Sequence, residues 1–143
     1  MTAKAELLLD SPREVLAFVR ERIEMPLEPR GFQAIGITRR GKLIGGCVFH
    51  DMQRNRGDVI LSIAGMGAWL TDEVLHCLFW NIFENLACAH ATCRLAEDNI
   101  KARRALERVG FLVEGRQRKA WDGKRSAILM GYAKWRGCAA EES

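Results

Sequence analysis

Between residues 11 and 23 the apolar positions recur with a helical period. Val15, Leu16, Phe18, Val19 and Ile23 fall on one face, and Ser11-Pro12 offers an N-cap followed by proline in the first turn. Pro26 and Pro29 forbid continuation, because proline lacks an amide proton and crowds the preceding turn. The character then changes to short segments rich in β-branched and aromatic residues. FQAIGIT (32–38), KLIGGCVFH (42–50) and DVILSIAG (58–65) predict three strands. Arg40-Gly41 and the polar, glycine-containing MQRNRGD separate them, so they read as an antiparallel meander. A broad apolar stripe follows in Val74, Leu75, Leu78, Phe79, Ile82, Phe83 and Leu86. Thr71 caps this helix, with Asp72 and Glu73 in the first turn, where carboxylates favour the helix dipole. ATCRLA (91–96) predicts a short strand. Strand, helix, strand in that order argues for one parallel crossover.

Asp98-Asn99 opens the next helix. Its buried side is Ile100, Ala102, Ala105, Leu106 and Val109, and Gly110 ends it as a C′ glycine. A strand over 111–121, a hairpin turn at Asp122-Gly123 and a returning strand over 124–135 complete the pattern. The predicted order is helix, three strands, helix, strand, helix, two strands. That is an α+β fold with a mostly antiparallel central sheet, one parallel crossover and flanking helices. Without repeats or low-complexity linkers, 143 residues suit a single domain over 1–143.

Composition changes this picture little. Apolar residues make up 48% and charged residues 28%, as in ordinary globular chains. No apolar run is long enough for a membrane span, and the N-terminus lacks the apolar core and cleavage site of a signal peptide. A cytoplasmic protein is the default expectation. The five cysteines are odd in number and form no CxxC, which favours free thiols in a reducing compartment. Cys88, His90 and Cys93 lie close together but fit no standard zinc spacing, so no metal is expected. Charge is more informative. The net +4 is uneven: ten basic residues fall between 94 and 125 against five acidic ones. Such a segment suits an anionic partner, a phosphorylated cofactor or a nucleic acid, and is also common as a plain solvated face.

The run NIKARRALERVGFLVEGRQRKAW (99–121) resembles the C-terminal signature of the GCN5-related N-acetyltransferase (GNAT) superfamily. Its Asn99, Ala102, Gly110-Phe111 and Glu114-Gly115 are similar to the branch acetylating ribosomal proteins and small amines. GAWLTDEVLHCLFWNIFENLACAHATCRL (67–95) resembles a variant found among phage and prophage GNAT-like proteins. The likeness covers residues 17–135. It implies the acyl-CoA N-acyltransferase fold, with a sheet splayed into a V that holds the pantetheine arm of acetyl-CoA. An amine acceptor is then acetylated directly.

The resemblance also implies site residues. GMGAWLT stands where the family's pyrophosphate loop lies. Gly65, Gly67 and Ala68, with Ile63 before and Trp69 after, would bring backbone close to phosphate; a tight strand-to-helix turn is the other reading. The Arg or Gln that usually precedes the loop is replaced by Ser62. Asn99 would hydrogen-bond the pantetheine arm, or simply cap its helix, or both. Arg103 and Arg104 lie one turn on. Arg103 is placed at the cofactor's phosphates and Arg104 in solvent. The family's catalytic tyrosine is Leu106 here, and the one tyrosine is Tyr132. The strand before the central helix carries Asp58 as its only carboxylate. His50, beside Asp51 and read as an exposed histidine, and Ser62 are therefore the catalytic candidates. His76 and His90 are weaker ones.

Three functions stay open. The first is acetyl transfer from acetyl-CoA to a protein or small-molecule amine. The second is an inactive GNAT-fold protein, of phage type, that binds CoA or a protein partner. The third is nucleic-acid binding, which no aromatic-basic motif supports. The chain is expected to be a monomer or homodimer, with no membrane association.

Overall fold

The computed structural model describes residues 4–23, 27–53 and 57–133. Seven strands form one sheet in the order β1-β2-β3-β4-β5-β7-β6. Strands β2 (Phe32–Arg39), β3 (Lys42–Gln53) and β4 (Asp58–Gly65) are the expected antiparallel meander. β4 pairs in parallel with β5 (His90–Ala96). β7 (Ala127–Ala133) joins β5 and β6 (Leu112–Gln117) by antiparallel pairing. The sequence pattern missed β1 (Glu6–Leu8), which adds to the β2 edge and is too short to show a period.

Helix α1 (Pro12–Arg22) lies on one face of the sheet. Val15, Leu16, Phe18 and Val19 pack with Ala34 and Val48. Ser11 occupies the N-cap position, but its hydroxyl makes no capping bond. Close approach of α1 depends on two glycines: a Cβ at Gly36 would stand 2.8 Å from Val15, and one at Gly46 2.9 Å from it.

The opposite face carries α2 (Asp72–Trp80) and α3 (Ile100–Arg108). Val74, Leu78, Ile82 and Leu106 meet Cys47, Phe49, Leu61, Cys93 and Met130 in the larger core. Thr71 caps α2, its hydroxyl accepting from Val74 N–H at 3.3 Å. The helix was expected to run unbroken to Leu86. Instead Asn81–Asn85 widens into a π-helical turn, with Leu86 N–H donating to the Asn81 carbonyl at 2.8 Å. Buried Asn81 donates to Gln33 at 3.3 Å and accepts from Asn85 at 2.8 Å. At the end of α3 the predicted glycine stop holds. Gly110 has φ +111°, Phe111 N–H donates to the Leu106 carbonyl and Gly110 N–H to that of Glu107, a Schellman closure.

The β6–β7 connection departs from the expected two-residue hairpin. The strands stop at Gln117 and resume at Ala127 because side chains capture the intervening backbone. Asp122 accepts from Lys124 N–H at 3.0 Å and Arg125 N–H at 2.8 Å, and Ser126 Oγ accepts from Lys119 N–H at 3.2 Å. Those backbone donations, with the Arg125 side chain, hold the Asp122 pKa down to about 2. The part of the predicted 124–135 strand beyond Ala133 lies outside the described residues, as does the middle of the MQRNRGD loop. Among the described residues no helix is long and apolar enough to cross a membrane.

Candidate functional site

The parallel pairing of β4 and β5 runs from Asp58/His90 to Leu61/Cys93 and goes no further. Beyond it the two strands diverge. The phase of the β3–β4 ladder fixes what faces the gap. Met66 N–H donates to the Ile44 carbonyl at 2.8 Å, so every second pair from there, including Gly46/Ala64 and Val48/Ser62, exchanges bonds across β3. The intervening residues, Ile63 and Gly65, therefore turn their backbone groups toward the gap. A cleft of about 1170 Å³ opens there, bounded by β4 and the loop to α2 on one side and by α3 on the other.

His50 and Ser62 meet at the edge of this cleft. Both line it, and His50 Nε2 lies 2.8 Å from Ser62 Oγ. His50 Nδ1 lies 2.6 Å from Asp51 Oδ2. The histidine is not the exposed one expected: its side chain is 8% exposed. Strand alternation puts it on the α1 side of the sheet with Val48, where neighbouring elements cover it. Asp51 follows His50 in sequence, but adjacency alone does not bring their side chains together. Adjacent residues of a regular strand point to opposite faces. Here the β3–β4 register shifts after His50, and Asp51 takes φ +48°, a left-handed conformation that few non-glycine residues adopt. That kink turns its carboxylate back onto the neighbouring imidazole.

The loop residues Gly67, Ala68 and Trp69 and the β4 residues Ile63 and Gly65 all line the cleft. Gly67 has φ +63°, which glycine tolerates at no steric cost. Trp69 is a core residue as much as a lining one. It is 7% exposed, and its indole lies flat over the paired Gly45 and Gly65, filling the space a Cβ at either would need.

On the α3 wall, Asn99 lines the cleft and caps the helix, its Oδ1 accepting from Ala102 N–H at 3.3 Å. Arg103 is not at the cleft. It turns along α3 toward Glu107, 3.6 Å away. The cations that do line the wall are Lys101, Arg104 and Arg108. Their spacing of three and four residues puts them on one helical face, a signal present in the sequence that the reading of Arg103 overlooked. Trp121 and Arg125 reach the same cleft from the β6–β7 connection. Arg94 holds that connection in place, donating to the Ala120 carbonyl with its guanidinium 5.6 Å above the Trp121 ring. Arg125 pairs with Asp98 at 3.1 Å.

Other candidates fall elsewhere. Tyr132 stacks on Phe79 at 4.7 Å within an aromatic cluster and does not line the cleft. Burial raises the Cys93 thiol to about 12, so this cleft cysteine stays protonated and a poor nucleophile. His76 is exposed on α2. Among the described residues no group of histidine, cysteine and carboxylates is arranged to hold a metal.

His90 has a separate role. Its Nδ1 lies 2.8 Å from Asp58 and its Nε2 3.0 Å from Glu114, tying β4, β5 and β6 together. Burial lowers its pKa, but the hydrogen bonds and charges of Asp58 and Glu114 outweigh that, and the net shift is upward. A raised folded-state pKa gives a contribution that is full below the unfolded pKa of about 6.5 and lost as pH rises through the folded value. Urea denaturation between about pH 6 and pH 9 should therefore show the stability gap between the native chain and H90Q shrinking as pH rises.

The sequence model of a family described as acetyltransferase (GNAT) domain matches residues 7–112. No curated protein sequence matches the chain. Solved structures do. The chain is similar to the spermidine N-acetyltransferase of Vibrio cholerae in complex with CoA and spermine, at 13% identity and a TM-score of 0.70, covering 90% of this chain and 95% of that one. Mutant forms of the spermidine/spermine enzyme of that organism give a TM-score of 0.72 at 11% identity, covering 91% and 95%. A protein of T. thermophilus described as an acetyltransferase gives 0.69 at 17%, covering 91% and 86%.

Proposed function

Because the chain belongs to the acetyltransferase (GNAT) family, we propose that it binds acetyl-CoA in the β4–β5 cleft and transfers the acetyl group to an amine. The observation that carries the reading is the convergence, on one gap, of outward-turned Ile63 and Gly65 backbone, a cationic helix face and the His50–Ser62 pair. These residues fit the ligand. Backbone groups facing the gap suit the amides of a pantetheine arm, as a missing strand would. Lys101, Arg104 and Arg108 suit the phosphates. Asp72 and Glu73 bring negative charge to the first turn of α2, so phosphate binding falls to the α3 wall.

A thioester is already activated, and positioning supplies much of the rate. The amine, an ammonium ion in neutral water, must lose protons before and during attack. Ser62 Oγ relays a proton to His50 Nε2, while Asp51 holds the Nδ1–H tautomer and stabilises the imidazolium. The acceptor is an amine of a protein N-terminus, a lysine or a small molecule. Spermine in the Vibrio complex supports a small polyamine, the 99–115 pattern supports the ribosomal-protein branch, and the 67–95 stretch supports the phage type. We place the chain in the cytoplasm, acting as one domain.

Calorimetric titration with acetyl-CoA and with free CoA tests the reading, followed by thiol release across an amine panel. Micromolar binding and amine-dependent thiol release are expected. Binding without release would leave a CoA-binding protein that has lost catalysis; absence of binding at millimolar ligand would overturn the cleft itself. The phosphate wall has its own test. R104E/R108E should weaken acetyl-CoA binding about tenfold or more, as loss of charge-assisted hydrogen bonds implies. R103Q, off the cleft, should leave it unchanged.

A further inference from the structure

A second cavity, of about 780 Å³, opens where β2 begins beside the end of β3. Residues 27–33 and 49–53 form most of it. It meets the β4–β5 cleft at His50 and Leu27, each of which lines both. Leu27 is buried, and its carbonyl accepts from Arg20 Nε at 2.8 Å, which ties the segment before β2 to α1. Direct transfer needs the amine to reach the thioester from a side the cofactor does not fill. A cavity that shares His50 with the cofactor cleft supplies that approach.

The lining of this cavity is chemically mixed. Beside His50 stands Asp51, 61% exposed, a carboxylate that draws an ammonium ion toward the imidazole. Arg30 lines the cavity from the segment before β2, is exposed, and makes no ion pair or hydrogen bond among the described residues. Gln33 lines it too. Asn81, from the π-helical turn, donates to Gln33 Oε1 at 3.3 Å, so the Gln33 amide keeps its NH2 group as a donor. Half-buried Phe32, Met52 and Leu86 add apolar surface.

These groups match the parts of an amino acid: an ammonium for Asp51, a carboxylate or carbonyl for Arg30 and Gln33, and an apolar side chain for Phe32, Met52 and Leu86. A polyamine fits worse. It must seat further ammonium groups beside the Arg30 cation, and Glu28 is the only other carboxylate among the described lining residues.

Resting on the acetyl-CoA reading above, we propose that this second cavity is the acceptor site and that it selects an amino acid with an apolar side chain, free or at the N-terminus of a peptide, over a polyamine. The neutral amine attacks the thioester carbonyl carbon and gives up a proton through Ser62 to His50. The C–S bond breaks, and the CoA sulfur takes that proton and leaves as the thiol. The products are the N-acetylated acceptor and free CoA.

The experiment measures thiol release from acetyl-CoA with leucine, a peptide amide beginning with leucine, isopentylamine (leucine without its carboxylate) and spermine. Leucine or the peptide should show a kcat/KM about tenfold or more above isopentylamine and spermine, as a charge-assisted hydrogen bond from Arg30 implies. Leucine in the lead makes the acceptor a free amino acid; the peptide in the lead makes it a chain N-terminus. R30Q should cost the preferred acceptor about tenfold, and R30E should in addition raise spermine relative to leucine. Calorimetry should give both variants the wild-type acetyl-CoA affinity, since Arg30 lines only the second cavity. Spermine or isopentylamine matching both leucine compounds, or R30Q lowering every acceptor by one factor, overturns the proposal and leaves the transferase reading standing. Acetyl-CoA binding without transfer to any of these amines overturns the acceptor site and leaves cofactor binding alone. Absence of acetyl-CoA binding removes both readings together.

Discussion

His50→Gln should lower kcat for acetyl transfer by about 100- to 10,000-fold, the range supplied by a positioned general base. Acetyl-CoA affinity should change little, because the phosphates and the pantetheine arm are assigned to α3 and to the β4 backbone, not to the imidazole. In steady-state terms, kcat and kcat/KM fall together while binding measured by calorimetry stays put, the signature of an interaction needed only in the transition state. Glutamine preserves the polar contact to Ser62 but cannot accept and release a proton near neutrality. An equal loss of binding would instead assign His50 to ground-state contacts. Asp51→Asn should cost less than His50→Gln. Asp51 is 61% exposed, so water can replace part of what its carboxylate does for the imidazolium. Asparagine tolerates the left-handed backbone at this position, so any change reports on charge and tautomer and not on strain.

The sequence carried most of this architecture where a period could be read over several turns or pleats. The α1 stripe at Val15, Leu16, Phe18 and Val19 is buried as its spacing requires, and Gly110 closes α3 as a C′ glycine. What escaped was set by contacts distant in sequence. The π-helical turn at Asn81–Asn85 depends on buried Asn81 reaching Gln33 in β2. The β6–β7 connection looked like an Asp-Gly hairpin, yet Asp122 and Ser126 draw the backbone into a wider loop that carries Trp121 and Arg125 to the cleft. Within the site, the glycine loop, Asn99, His50 and Ser62 were visible as residue types. Their joining was not. Asp51 turns toward His50 because of a register shift between β3 and β4, and a register is a property of two strands, not of one. On α3 the missed information was local: helical spacing alone separates Lys101, Arg104 and Arg108 from Arg103.

Trp69→Ala should produce the largest loss of stability, about 3–5 kcal/mol, the usual cost of truncating a buried aromatic side chain. Trp69 looked in sequence like a loop residue facing a ligand. It is 7% exposed and belongs to the larger core, with its indole laid across Gly45 of β3 and Gly65 of β4. The two glycines and the tryptophan form one packing unit: the absence of side chains at a paired position of the sheet makes the slot, and the indole fills it. Alanine cannot, and β-strand backbone on the floor of the slot has little freedom to collapse into the void. Urea denaturation followed by far-ultraviolet circular dichroism, with the slope of the transition unchanged, would measure the loss directly. Gly65→Val attacks the same unit from the other side, since its side chain would occupy space the indole already holds, and it should destabilise in the same direction. The functional consequence follows from position. The indole seats the turn between β4 and α2, and that turn forms one wall of the β4–β5 cleft. Trp69→Phe, which fills part of the slot, should recover part of the stability and part of the acetyl-CoA affinity together. A variant that lost stability while keeping full affinity would separate the packing unit from the cleft and place the binding energy on the α3 wall alone.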